Sequence, residues 1–219
     1  MTTRSEFSSA LNEMQHILVH MAGIVEQNLA QAVQALAGQD AEEANRIIHT
    51  DVQVNAAEKQ ILDLGIRLIA TQQPVAKDLR RIISAIKISS DLERMADLSV
   101  DIAKSVVRMN DQPLQDSLSH IQKMANLTVN MIQASIKAYV NEDVPSALKM
   151  AENDDEVDEL YSSMLKQLFA FMAEHPDKIN QVMLLCFVGR FIERIGDYAT
   201  NIGEQVVYLV EGELPDLNT

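Results

Sequence analysis

Tryptophan is absent from this 219-residue chain, cysteine occurs once, and glycine and proline number only 7 and 5. An all-β fold needs a tight turn every ten residues or so, and so few breakers exclude it. The lone Cys186 sits in the apolar run Gln181-Val-Met-Leu-Leu-Cys-Phe-Val188, which excludes an intramolecular disulfide framework and fits a reducing compartment. No basic neighbour is there to lower its pKa, so it reads as a small core residue. Basic stripes are missing as well: 18 Lys and Arg against 32 Asp and Glu leave a formal charge of -14. Nucleic acid needs a basic face, and an anionic membrane surface would repel this one. No run approaches the ~18 apolar residues of a bilayer span, and Met1-Thr-Thr-Arg-Ser-Glu-Phe7 lacks a secretion signal's apolar core. A cytoplasmic protein is expected. Neither a Gly-rich phosphate loop nor a nucleophile elbow nor a Ser/His/Asp arrangement is present, so nothing points to catalysis.

What the chain has instead is apolar content of 47%, built mainly from Ala, Leu, Ile, Val and Met among abundant Gln and Glu. These are strong helix formers. Periodicity and breakers predict six helices. The first spans about Ser5 to Ala37, with Leu11, Met14, Leu18, Met21, Val25, Leu29, Ala32 and Leu36 on one stripe. Gly38-Gln39-Asp40 ends it, and Asp40 suits the N-cap of a second helix running to about Ala70. Pro74, in a first-turn position, opens a third helix reaching about Met109. A fourth then runs to about Val140, a fifth from Asp143 to about Glu174, and a sixth from His175-Pro-Asp177 to near Gly212.

These breaks repeat. At an offset of 103, Ala35 falls on Ala138, Asp40 on Asp143 and Asp51 on Asp154; beyond the Pro74 and Pro176 connections the offset is 100, and Glu93-Arg94 falls on Glu193-Arg194. A period this long suits a duplicated three-helix unit better than a solenoid. The expected architecture is all-α, two tandem antiparallel three-helix bundles covering 1–110 and 111–219.

The repeat is sharpest where it is acidic. The third helix carries Glu93, Asp97 and Asp101 at i, i+4 and i+8, and the sixth carries Glu193, Asp197 and Asn201. Four residues are slightly more than one turn, so such side chains form a stripe that drifts by ~40° per step. Carboxylates this close repel unless a cation or proton lies between them. Oxygen donors without thiolates suit Mg, Mn, Ca or iron. A neighbouring helix must complete the shell, and the second and fifth helices offer Asp51 with Asn55 and Asp154 with Asp158. Asn55 brings an oxygen without charge, so the first site is expected to be the weaker. Arg94 and Arg194 are expected to pair with carboxylates of an adjacent helix. Carboxylates four apart are also what an ordinary solvated helix face shows. Glu13-Met-Gln-His16 has the Glu-x-x-His spacing of di-iron bundles, but it occurs once where two are needed.

With these residues in view, the sequence resembles the PhoU family of phosphate-uptake regulators over essentially its whole length. The resemblance rests on Arg4-x-x-Phe7, Asp78-Leu-Arg80 leading to Leu92-Glu-Arg94, and Glu193-Arg-Ile-Gly-Asp-Tyr-Ala-Thr-Asn-Ile202 with Val207-Tyr-Leu and Gly212 behind it. It implies a cytoplasmic, non-enzymatic negative regulator acting with the ATPase subunit of a phosphate ABC transporter and with a sensor histidine kinase. Homodimers are common in the family. The family's paired Glu/Asp-x-x-x-Asp segments map onto Asp51 and Asn55 with Glu93 and Asp97, and onto Asp154 and Asp158 with Glu193 and Asp197. They imply divalent or iron cations, with Mg, Mn, Fe and Zn in the candidate set. Two other readings compete: a di-metal carboxylate enzyme, and a metal-free helical adaptor.

Overall fold

Each copy opens with a long helix that is stopped in the same way. In the computed structural model, which describes residues 2–49, 51–109 and 113–217, α1 spans Thr2–Gly38 and α5 spans Gln115–Asn141. Gln39 and Glu142 follow them in left-handed conformation, at φ 51° and 54°. The amide of Asp40 then reaches back to the Ala35 carbonyl and that of Asp143 to Ala138, each at 2.9 Å. This paired-carbonyl stop satisfies helix-end acceptors that would otherwise be orphaned. The next residue caps a new helix. Asp40 accepts from the amides of Glu42 and Glu43, and Asp143 from that of Ser146.

The expected second and fifth helices are each interrupted. The second divides into α2 (Ala41–Ile48) and α3 (Asp51–Gln72), the fifth into α6 (Val144–Ala151) and α7 (Asp154–Glu174). The second interruption has a visible cause: Asn153 donates both its backbone amide and its side-chain amide to the Met150 carbonyl, tightening the last turn of α6. Helix α4 covers Ala76–Arg108, a short 3₁₀ turn covers Pro176–Lys178, and α8 covers Ile179–Glu211. Pro74 therefore lies just ahead of α4, not in its first turn. Gly212, at φ 84°, closes α8, and Arg80 donates to the Leu209 carbonyl there.

Helices α1, α3 and α4 form one bundle and α5, α7 and α8 the other, with α2 and α6 as short flanking segments. The predicted α1 stripe is the core face: Met14, Leu18, Met21, Val25, Leu29, Ala32 and Leu36 are all buried. The most extensive helix contact in the molecule crosses between bundles, from α4 to α8, and α1 also packs on α5. One continuous apolar core results. Polar ties cross the same seam. Lys77 and Arg81 of α4 both grip Glu142 at the end of α5, the Arg81 Nη2–Glu142 Oε1 distance being 2.6 Å. Partial burial pushes the Glu142 carboxyl up, but these two cations outweigh it and hold it below the usual range. Among the described residues no helix is long and apolar enough to cross a membrane.

Candidate functional site: paired acidic helices

Glycine sets the spacing of α7 against α8. A Cβ added at Gly196 would lie 2.9 Å from Asp154 Oδ1, and one at Gly189 would lie 2.3 Å from Met164 Cε. The bare backbone of α8 therefore admits α7 closely enough for Asp154, the first residue of α7, to press against it. Asp154, Asp155 and Glu156 fill the first turn of α7, where the helix dipole favours negative charge. The Asp154 and Asp158 pair of α7 thus meets the Glu193 and Asp197 pair of α8.

The four carboxylates share one electrostatic problem. Burial, followed by the charges of Asp197, Asp158 and Asp155, raises the Asp154 carboxyl to about 7. Burial and the Asp197 charge raise Glu193 to about 7, against the pull of Arg190. Asp158 and Asp197 are also raised, again chiefly by burial, with Arg190 opposing both. Glu193 is only 7% exposed. Its Oε1 accepts from Arg190 one turn earlier on α8, while its Oε2, like Asp154 Oδ1, is buried without a hydrogen-bond partner. Two buried acceptors facing no donor mark a place where a cation or a proton is called for.

Arg190 was not singled out from the sequence. The signal was there: residues 190, 193 and 197 follow i, i+3, i+7 spacing and share a helix face. Repeat one has Ser90 in the matching position, so Arg190 itself is not duplicated.

Repeat one is shallower. Glu93 is half-buried, whereas Asn55 and Asp97 are exposed, and the side chain of Asp51 lies outside the described residues. The third members of both stripes are engaged elsewhere. Asp101 pairs with Lys104 at 2.8 Å. Asn201 hydrogen-bonds Asp91, a half-buried carboxylate of α4 that desolvation raises to about 7. The two conspicuous arginines also differ from expectation. Arg194 donates to Tyr198 at 3.3 Å on its own helix, and Arg94 exerts its charge on Asp91 of its own helix. Among the described residues neither reaches a carboxylate on an adjacent helix, because each points along the exposed side of its own.

In kind, the all-oxygen donor set of Asp154, Asp158, Glu193 and Asp197 fits a hard cation. In placement it is unfinished: among the described residues no three His, Cys, Asp or Glu side chains are drawn together as a ready cation site. The carboxylates feel one another's charge without converging on one point.

The PhoU domain family model matches residues 18–106 and again 121–206. The chain is 40% identical over 217 residues to the phosphate-specific transport system accessory protein PhoU homolog of Clostridium acetobutylicum, covering 99% of each chain. It is 32% identical over 208 residues to the protein named phosphate-specific transport system accessory protein PhoU in Escherichia coli (strain K12), covering 95% of this chain and 86% of that one. The fold is similar to a crystal structure of PhoU from Pseudomonas aeruginosa, with TM-score 0.90 and 33% identity over 94% of this chain and 100% of the other. A phosphate transport system regulatory protein PhoU from Streptococcus pneumoniae gives 0.89 and 30%, over 96% and 99%. Both halves of the duplicated helical frame match one family model, and the relatives align nearly end to end: the chain belongs to the PhoU family.

Proposed function

We propose that this protein is a negative regulator of phosphate uptake and of phosphate-starvation signalling, acting by contact and catalysing no reaction. The observation that carries this reading is the near end-to-end similarity to proteins named as accessory to the phosphate-specific transport system. The contacts in this reading are the ATPase subunit of a phosphate ABC transporter and a sensor histidine kinase, met in the cytoplasm by a homodimer. The test is deletion of the gene with the transporter intact. In high phosphate the deletion should derepress starvation-gene reporters and raise phosphate uptake, and an episomal copy should reverse both. Unchanged reporter and uptake would overturn the proposal.

Within this reading, Asp154, Asp158, Glu193 and Asp197 hold a divalent or iron cation, and Asp51, Asn55, Glu93 and Asp97 a weaker second one. A bound cation would supply positive charge between α7 and α8. The protein's own part is to present oxygen donors from two helices and to bury two of them without hydrogen bonds. Arg190 balances the charge only partly, leaving Glu193 and Asp154 ready to accept a proton when no metal is present. Metal analysis of untagged protein purified without chelator tests this, and metal-free protein that binds none of Mg, Mn, Fe(II) or Zn would defeat it.

A further inference from the structure

Away from the acidic pairs, α1 turns a different kind of donor toward α3. Glu13, His16 and His20 fall at i, i+3 and i+7 on α1. They line one wall of a groove of about 780 Å³ whose opposite wall includes Gln53, Ala56 and Gln60 of α3. Ile17 and Ala57, both packed against the apolar core, also line it. Gln60 donates to Glu13 Oε1 across the groove at 3.4 Å. Both histidines are exposed, so their rings can turn without disturbing the core.

Residues four apart on a helix have Cβ atoms about 5–6 Å apart, on one face. This is the His-x-x-x-His spacing with which a single helix presents two imidazoles to one zinc ion in metalloprotease helices. Imidazole selects borderline ions such as Zn, Ni and Cu, whereas the carboxylates of α7 and α8 are donors for hard ones. We propose that His16 and His20 chelate one divalent transition ion, Zn²⁺, Ni²⁺ or Cu²⁺, in the α1–α3 groove, with water filling the other positions. Among the described residues no third His, Cys, Asp or Glu is already drawn to the pair, which makes the ion exchangeable. Glu13, one turn before His16, is the protein group nearest in sequence that can swing in to join it. The site binds and does not hydrolyse: the position after the first histidine, which holds the general-base glutamate in metalloprotease helices, is Ile17 here.

The experiment is isothermal titration of the untagged full chain with ZnCl₂ in chelator-free buffer at pH 7.5. It is run on wild type, His16→Asn, His20→Asn, and the separate variant Glu193→Gln/Asp197→Asn. Wild type should show a Zn²⁺ equivalent that either histidine substitution weakens at least tenfold and that the acidic variant retains. Circular dichroism should be identical for wild type and both histidine variants, since both histidines are exposed. Zinc binding unchanged in both histidine variants, or lost only in the acidic variant, would overturn the proposal. The acidic variant also separates this site from the regulator's acidic pairs, so failure of one leaves the other standing.

Discussion

Replacing Glu193 by Gln should make the metal-free protein more stable at neutral pH, an uncommon direction for a change at a buried polar residue. In the native state the Glu193 carboxyl titrates near 7, against 4.5 for an unperturbed glutamate. Each pKa unit corresponds to about 1.4 kcal/mol, so holding this carboxylate ionised costs about 3 kcal/mol. Its side chain is only 10% exposed, so water screens little of that. The Arg190 charge is already counted in that figure, so substitution gives up only the hydrogen bond itself, about 1 kcal/mol. The net gain is about 2 kcal/mol, or a rise of about 4–8 °C in Tm for a chain of this size. Below the unfolded-state value both states are protonated and the group contributes nothing. As pH rises between the unfolded and folded values the native state holds the extra proton, so stability falls across roughly pH 4.5–7 and stays low above it. Thermal melts from pH 5 to 8 in EDTA should show wild type losing stability with pH and Glu193→Gln losing less. A variant that melts below wild type at pH 8, with an unchanged pH slope, would refute the reasoning.

Four further outcomes are expected. Mg²⁺ or Mn²⁺ at a hundredfold excess over Kd should raise wild-type stability by about 2.7 kcal/mol; melts should show most of this gain lost in Glu193→Gln/Asp197→Asn and less of it lost in Glu93→Gln/Asp97→Asn. Gly196→Ala should cost about 1–3 kcal/mol in urea unfolding, because its methyl would meet Asp154 Oδ1 at 2.9 Å and push that carboxylate aside. Arg81→Ala should cost about 1 kcal/mol by the same measurement, since Lys77 still holds Glu142 and the pair is partly exposed. Residues 1–110 and 111–219 made separately should both be helical by circular dichroism, and each should self-associate in sedimentation because the α4 or α8 face it loses is apolar.

The helical frame was legible because its signals are local. Apolar spacing along α1, and aspartates that cap the next helix in both copies, need no tertiary knowledge. The interruption before α7 was not legible: no glycine or proline marks it, and it depends on Asn153 folding back onto a carbonyl. Spacing correctly puts Glu193 and Asp197 on the face that meets Asp154 and Asp158, but it does not carry the third member of the stripe there. A drift of ~40° per step puts the i+8 residue ~80° away from the first, on a different face. Asn201 accordingly looks toward α4, where it meets Asp91. Arg190 escaped notice because charge balance depends on which face is buried, and the sequence marks only spacing. The difference in depth between the two sites, Glu193 buried against a half-buried Glu93 and Asp197 half-buried against an exposed Asp97, also lies in packing, not in residue type.

The contact between α4 and α8 joins more than two bundles. Glu93 and Asp97 ride on one of these helices and Glu193 and Asp197 on the other, and both are single uninterrupted rods. A rigid rod cannot slide at one point alone. If charge neutralisation lets α7 settle closer to α8 and shifts it along its length, the movement is delivered to α4 through their shared seam. It then arrives at the other acidic pair as a change of register against α3. Were ions to occupy both pairs, any influence of one on the other would have to pass through this seam and would be equal in both directions. The α4–α8 seam is thus the one beam from which both acidic pairs hang.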